Sequence, residues 1–150
     1  MEEKTIRSFD WTKIYYRYHQ GKNPHTLVFL HGVGGNWTVW KKEMAYFQKK
    51  GYSTIALDLR GHGRSGAPKK FKKYQLYRFT MDVYRILQKE KIKNFSLVGH
   101  SIGGAIIINY CMRYKNKQPD SLVLIETAST YPFEHNHLLN HCPYVTHFLR

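Results

Sequence analysis

Apolar residues along the chain follow two rhythms. Thr26-Leu27-Val28-Phe29-Leu30, Thr54-Ile55-Ala56-Leu57, Phe95-Ser96-Leu97-Val98 and Ser121-Leu122-Val123-Leu124-Ile125 are short, nearly continuous apolar runs, as expected of strands buried on both faces. Between them the repeat is helical. Trp40, Met44 and Phe47 recur at i, i+4 and i+7. Asn36 is a fitting N-cap for that segment, while Lys49, Lys50 and Gly51 suit its end. Leu76, Phe79, Val83, Ile86 and Leu87 form a second stripe. Residues 103–114 are apolar nearly all round (Ala105, Ile106, Ile107, Ile108) and predict a deeply buried helix. The stretch from Thr5 to His19, rich in Tyr, Trp and Ile, predicts one or two antiparallel strands, and Gly21 to Pro24 a turn. From Thr130 onward no periodicity emerges. Strands alternating with helices imply an α/β fold with a mostly parallel sheet flanked by helices.

Composition narrows this picture. A chain of 150 residues fits one compact domain, and 42% apolar content is enough for a core despite the charge. No apolar run reaches 18 residues, so no membrane span is expected. The opening Met1-Glu2-Glu3-Lys4-Thr5-Ile6-Arg7 has no apolar h-region, so no signal peptide is expected. Two cysteines, Cys111 and Cys142, make no disulfide framework and fit a reducing, cytoplasmic setting. The formal net charge is +14, densest at Lys69-Lys70-Phe71-Lys72-Lys73. Such a patch suits nucleic acid or an anionic membrane, or is simply a lysine-rich surface. No nucleic-acid motif accompanies it, so the surface reading is adopted and no nucleic-acid partner is expected.

The chemistry concentrates in Gly99-His100-Ser101-Ile102-Gly103-Gly104, which follows one buried-strand pattern and opens the buried helix. A chain that reverses sharply between strand and helix forces its serine into a strained backbone and lifts the hydroxyl above the sheet edge. Gly99 and Gly103 leave room for close backbone approach. The Ile102 N–H, at the helix start, is placed to stabilise an oxyanion. A second glycine-rich segment, His31-Gly32-Val33-Gly34-Gly35, follows the strand ending at Leu30 and offers the Val33 N–H as the other donor. His31 is given a structural role. In the loop Asp58-Leu59-Arg60-Gly61-His62-Gly63-Arg64-Ser65, Asp58 and the glycines are expected to shape the backbone rather than react.

These three motifs, in this order and spacing over residues 26–128, resemble the α/β-hydrolase fold family. The resemblance implies a sheet of eight strands, of which this chain holds about six. It also implies a Ser–acid–His triad and a small-molecule acyl substrate such as an ester, with no cofactor. The elbow carries serine where dehalogenases and epoxide hydrolases of the family use aspartate, so the implied reaction is acyl transfer to Ser101 followed by attack of water.

By the same resemblance, residues 1–129 are the N-terminal part of the core and 130–150 the start of the cap. The usual acid and histidine, which follow later strands, are expected to be absent. Glu126, at a strand end on the active-site edge, is the candidate acid, with a histidine from His135, His137, His141 or His147 as its partner. His137 and His141 have the i, i+4 spacing of a zinc pair, but no second ligand cluster completes a site, so no metal is expected. Residues 121–125 should present an unpaired apolar edge, open to self-association or to a complementing C-terminal half. The alternative to a hydrolase is a non-catalytic remnant or interaction module on the same scaffold.

Overall fold

The structure, a computed structural model, describes residues 1–127. Six strands form one sheet: β1 (Glu2–Arg7), β2 (Lys13–His19), β3 (Asn23–Leu30), β4 (Tyr52–Leu57), β5 (Asn94–His100) and β6 (Ser121–Ile125), in the order β1-β2-β4-β3-β5-β6. The first two are an antiparallel hairpin, and β2 runs antiparallel to β4. The β3–β4, β3–β5 and β5–β6 pairs are parallel. Six strands and an α/β sheet agree with the sequence pattern.

Three helices connect the parallel strands: α1 (Lys41–Lys49), α2 (Leu76–Lys89) and α3 (Ile102–Arg113). Asn36 caps as expected, accepting the Thr38 N–H at 2.9 Å, but the turn it starts, Trp37–Trp40, is 3₁₀ before α1 begins. The apolar stripes explain the layers. On one sheet face Val28, Leu30, Ile55, Leu57, Phe95 and Leu97 pack with Leu76, Phe79 and Val83 of α2 and Ile106, Ile107 and Tyr110 of α3. On the other face Leu27, Phe29, Ala56 and Val98 meet Trp40 and Met44. Strand alternation therefore feeds two cores from one central strand.

That second core covers β3 and β4 but not β6. Val123 and Ile125 stay exposed, whereas Leu122 and Leu124 turn toward α2 and α3. Among the described residues β6 is an edge strand, and its apolar run, read from the sequence as a strand buried on both faces, is covered on one face only. The segment 130–150, with the candidate histidines His135, His137, His141 and His147 and with Cys142, lies outside the described residues. Among the described residues no helix is long and apolar enough to cross a membrane.

Candidate active site

Topology selects the place. The chain leaves β3 toward β4 on one side and leaves β5 toward β6 on the other. The carboxyl ends of β3 and β5 thus flank the crevice where strand order reverses, the usual ligand position in an open α/β sheet. His31-Gly32-Val33-Gly34-Gly35 follows β3, and Ser101 follows β5.

Ser101 is the single residue between β5 and α3. Its backbone has φ 54 and ψ −118, left-handed territory that costs a non-glycine residue on the order of 1–3 kcal/mol. The surroundings hold it there. Its N–H donates to the Ile125 carbonyl at 2.9 Å, and its carbonyl accepts the Gly104 N–H at 3.0 Å. A Cβ on Gly99 would lie 2.5 Å from the Gly103 carbonyl carbon, and one on Gly103 would meet the Leu30 carbonyl oxygen. These two glycines let α3 rest directly on β3 and β5. Ile102 is the first residue of α3, so its N–H has no partner within the helix.

The loop after β3 closes by a hydrogen bond from the Gly35 N–H to the Gly32 carbonyl, 3.1 Å. Val33 and Gly34 are its central residues. Gly34 has φ +75, the pattern of a turn that needs a positive angle at its third position. Val33 is 74% exposed at the tip. A Cβ on Gly32 would lie 2.6 Å from His100 Nδ1 and 3.3 Å from Ser101 Cβ, so the loop rests against the elbow.

His31 is fully buried. Its Nε2 accepts the Leu59 N–H at 3.0 Å, so the ring proton sits on Nδ1 and is donated to the Gly32 carbonyl at 2.7 Å. Burial lowers its pKa, with the Gly32 bond opposing, and the ring stays neutral. It ties two loops together.

Asp58 shapes its loop as expected. One carboxylate oxygen accepts the Trp37 N–H at 2.7 Å and the other the Arg64 N–H at 2.8 Å. The next layer has no local signature in the sequence. Arg60 is fully buried and grips Asp82 of α2 with two bonds of 2.7 Å, Nε to Oδ2 and Nη2 to Oδ1. Its Nη1 donates to the Lys73 carbonyl at 2.7 Å and to Asp10 at 3.2 Å. The Ser8 hydroxyl also donates to Asp82. Burial pushes the Asp82 carboxyl up, against the pull of Arg60. Burial acts the same way on Asp10, but the Thr12 hydrogen bonds and the Arg60 charge outweigh it and hold Asp10 at about 2.

Glu126 follows β6 with φ 48 and a side chain 81% exposed. Its carboxylate lies 3.0 Å from His100 Nε2. The structure therefore brings Glu126 to the residue before the serine. Among the described residues no hydrogen bond joins it to the Ser101 hydroxyl. No pattern marked His100 as its partner, because the two meet only through β5–β6 pairing.

A second polar cluster lies at the opposite edge of the sheet. His25 Nε2 is 2.8 Å from Ser96 Oγ, and Ser96 Oγ is 2.6 Å from Ser121 Oγ. His25 Nδ1 is 3.4 Å from Asp120 Oδ2, which accepts the Phe95 N–H at 3.0 Å. These contacts pin the beginnings of β3, β5 and β6 beside an open cavity of about 400 Å³ walled by Leu27, Phe47 and Tyr52. Among the described residues no group of three or more His, Cys, Asp or Glu side chains is placed to hold a metal ion.

Comparison with known proteins gives the same outline. A family model described as the alpha/beta hydrolase fold matches residues 25–144. Protein ABHD8 of Homo sapiens is 36% identical over 94 residues, 63% of this chain and 20% of that protein. The AB hydrolase superfamily protein YisY of Bacillus subtilis (strain 168) is 33% identical over 103 residues, 69% of this chain and 38% of that protein. Among solved structures, the esterase EaEST from Exiguobacterium antarcticum superposes with a TM-score of 0.79 at 29% identity, covering 85% of this chain and 46% of its own. The chain spans about a fifth of the length of ABHD8 and under half that of the esterase.

Proposed function

The chain belongs to the alpha/beta hydrolase fold family, and from that premise we propose that Ser101 is the nucleophile of an acyl-transfer site for a small ester-like substrate. One observation carries the reading: a serine held at φ 54 between a parallel strand and a helix start, at the sheet's switch point. A backbone that costs energy and serves no turn other than this one has its use in aiming the hydroxyl. The Ser101 oxygen attacks the substrate carbonyl carbon, the alcohol departs, and water releases the acid from the acyl-enzyme. The Ile102 N–H receives the oxyanion with the α3 dipole behind it, and the Val33 N–H is the second donor. His100 and Glu126 are the titratable pair beside the serine. Their role is to brace Gly32 and the elbow; among the described residues no side chain is hydrogen-bonded to the Ser101 hydroxyl.

A fluorophosphonate probe tests this directly. Incubated with the full chain, alone and with a polypeptide supplying the remaining strands of the fold, it should label Ser101, and Ser101→Ala should abolish the label. Absence of label under both conditions rules the nucleophile out.

The β6 edge, unpaired among the described residues, supports a second reading, an interaction module that adds strands from a complementing polypeptide beside Val123 and Ile125. That role would be indifferent to Ser101→Ala.

A further inference from the structure

We propose that the turn between β1 and β2, together with the segment 69–73, forms a docking surface for anionic membrane, on the same sheet edge as Ser101. Trp11 is 78% exposed and has φ 67. A bulky residue rarely takes that backbone, and glycine or asparagine would sit there at lower cost. The turn is nonetheless firmly made: Ser8 N–H to Thr12 carbonyl at 2.8 Å, and Trp11 N–H to Ser8 carbonyl at 3.0 Å. The indole is thus presented to solvent by a rigid frame. Phe71, 87% exposed, projects from a 3₁₀ turn, Phe71–Tyr74.

The two turns are stitched to each other. Lys73 Nζ donates to the Asp10 carbonyl at 3.2 Å, and Arg60 bonds both Asp10 and the Lys73 carbonyl. Around the two aromatics lie exposed Arg7, Lys13, Lys69, Lys70 and Lys72. The nearby acids are already spent: Asp10 on Arg60, Lys73 and Arg78, and Glu3 on Arg17 and Arg64. The patch therefore keeps its positive charge.

An amphipathic indole, a fully apolar ring and lysines on exposed turns match the headgroup–acyl boundary of a bilayer. A bilayer asks for no groove, and the two turns offer it exposed rings and lysines. Single-stranded nucleic acid takes a groove with stacking platforms instead. The start of β2 lies at the carboxyl end of β4, so the patch shares an edge with Ser101, three strands and roughly 14 Å away across the sheet. Docking there would hold the elbow at the lipid surface.

Sedimentation of the full chain with vesicles tests it, comparing phosphatidylcholine alone with vesicles containing about a third phosphatidylserine. Binding to the anionic vesicles should exceed binding to neutral ones by about tenfold or more and fade at about 0.5 M salt. The double variant Trp11→Ala/Phe71→Ala, folded by circular dichroism, should lose about tenfold, and Lys69→Glu/Lys70→Glu/Lys72→Glu at least as much. The same charge change on α1, Lys41→Glu/Lys42→Glu/Lys49→Glu, should cost less than about threefold if the patch governs binding. Ser101→Ala should bind like the parent, so failure here is separable from failure of serine labelling. Unchanged binding by the aromatic double variant overturns the proposal, as does equal loss from the two triple variants. DNA bound more tightly than the anionic vesicles, with the aromatics contributing to that binding, overturns it in favour of nucleic acid.

Discussion

At the carboxyl edge of the sheet, the loop after β4 and the elbow after β5 stand only two strands apart and are held by different means. The β4 loop is fixed by buried charge: Asp58, Arg60 and Asp82 are almost wholly out of water, and each spends its oxygens or N–H groups on named partners. The elbow is fixed by absence of bulk. Gly99 and Gly103 let backbone touch backbone, and two non-glycine residues, Ser101 and Glu126, take left-handed angles side by side. The nucleophile role proposed for Ser101 needs an uncommitted hydroxyl, and rigidity around this residue comes from close packing. The neighbouring loop has no such duty, and polar bonds can saturate it.

The largest expected effect breaks the charged side of the contrast. Arg60→Ala strands Asp82 in the interior and should cost about 3–5 kcal/mol, lowering the thermal midpoint by roughly 10 °C. Replacing both partners with apolar residues, Arg60→Met with Asp82→Leu, should restore most of that loss in the same melting experiment. If the double variant is no better than the single one, desolvated charge is not what fixes the loop.

Next comes pH. The Asp10 carboxyl stands at about 2 in the folded chain against an ordinary 3.8. The unfolded chain therefore takes up a proton first as pH falls. The stability this group supplies is complete above about pH 4 and is lost between about 4 and 2, on the order of 2 kcal/mol in all. Asp10→Asn should flatten that part of the pH–stability curve, followed by urea unfolding at each pH. A slope identical to the parent's would remove Asp10 from the network's energetics.

The smallest effect sharpens the other side. Ser101→Gly relieves the φ 54 strain and should raise stability by about 1 kcal/mol while abolishing probe labelling. A glycine variant less stable than the parent would mean the elbow stores no strain.

How much of this could be read from the chain depends on sequence separation. The elbow was legible because strand, turn and helix start are contiguous, and so were β3 to β6 and the apolar stripes of α1 to α3. Asn36 announced a cap, although the tighter first turn did not show, since 3₁₀ and α starts share their capping chemistry. Arg60 stood in a recognised loop with no hint of its partners, because Asp10 and Asp82 are 50 and 22 residues away and meet it only after the sheet closes. The Glu126–His100 pair was hidden likewise behind strand register. The lysine-rich segment read as ordinary surface, and its tie to the β1–β2 turn, from Lys73 to the Asp10 carbonyl 63 residues earlier, could not be read from the chain.

The Arg60 knot has one more consequence. Three positions far apart in the chain, 10, 60 and 82, answer to one another through a cation that water cannot reach. A change at 60 or 82 alone leaves a buried ion without its closest mate, whereas Asp10 keeps Lys73 and Arg78. Positions 60 and 82 should therefore change together, so a swap at 82 in a related chain should arrive with a matching swap at 60.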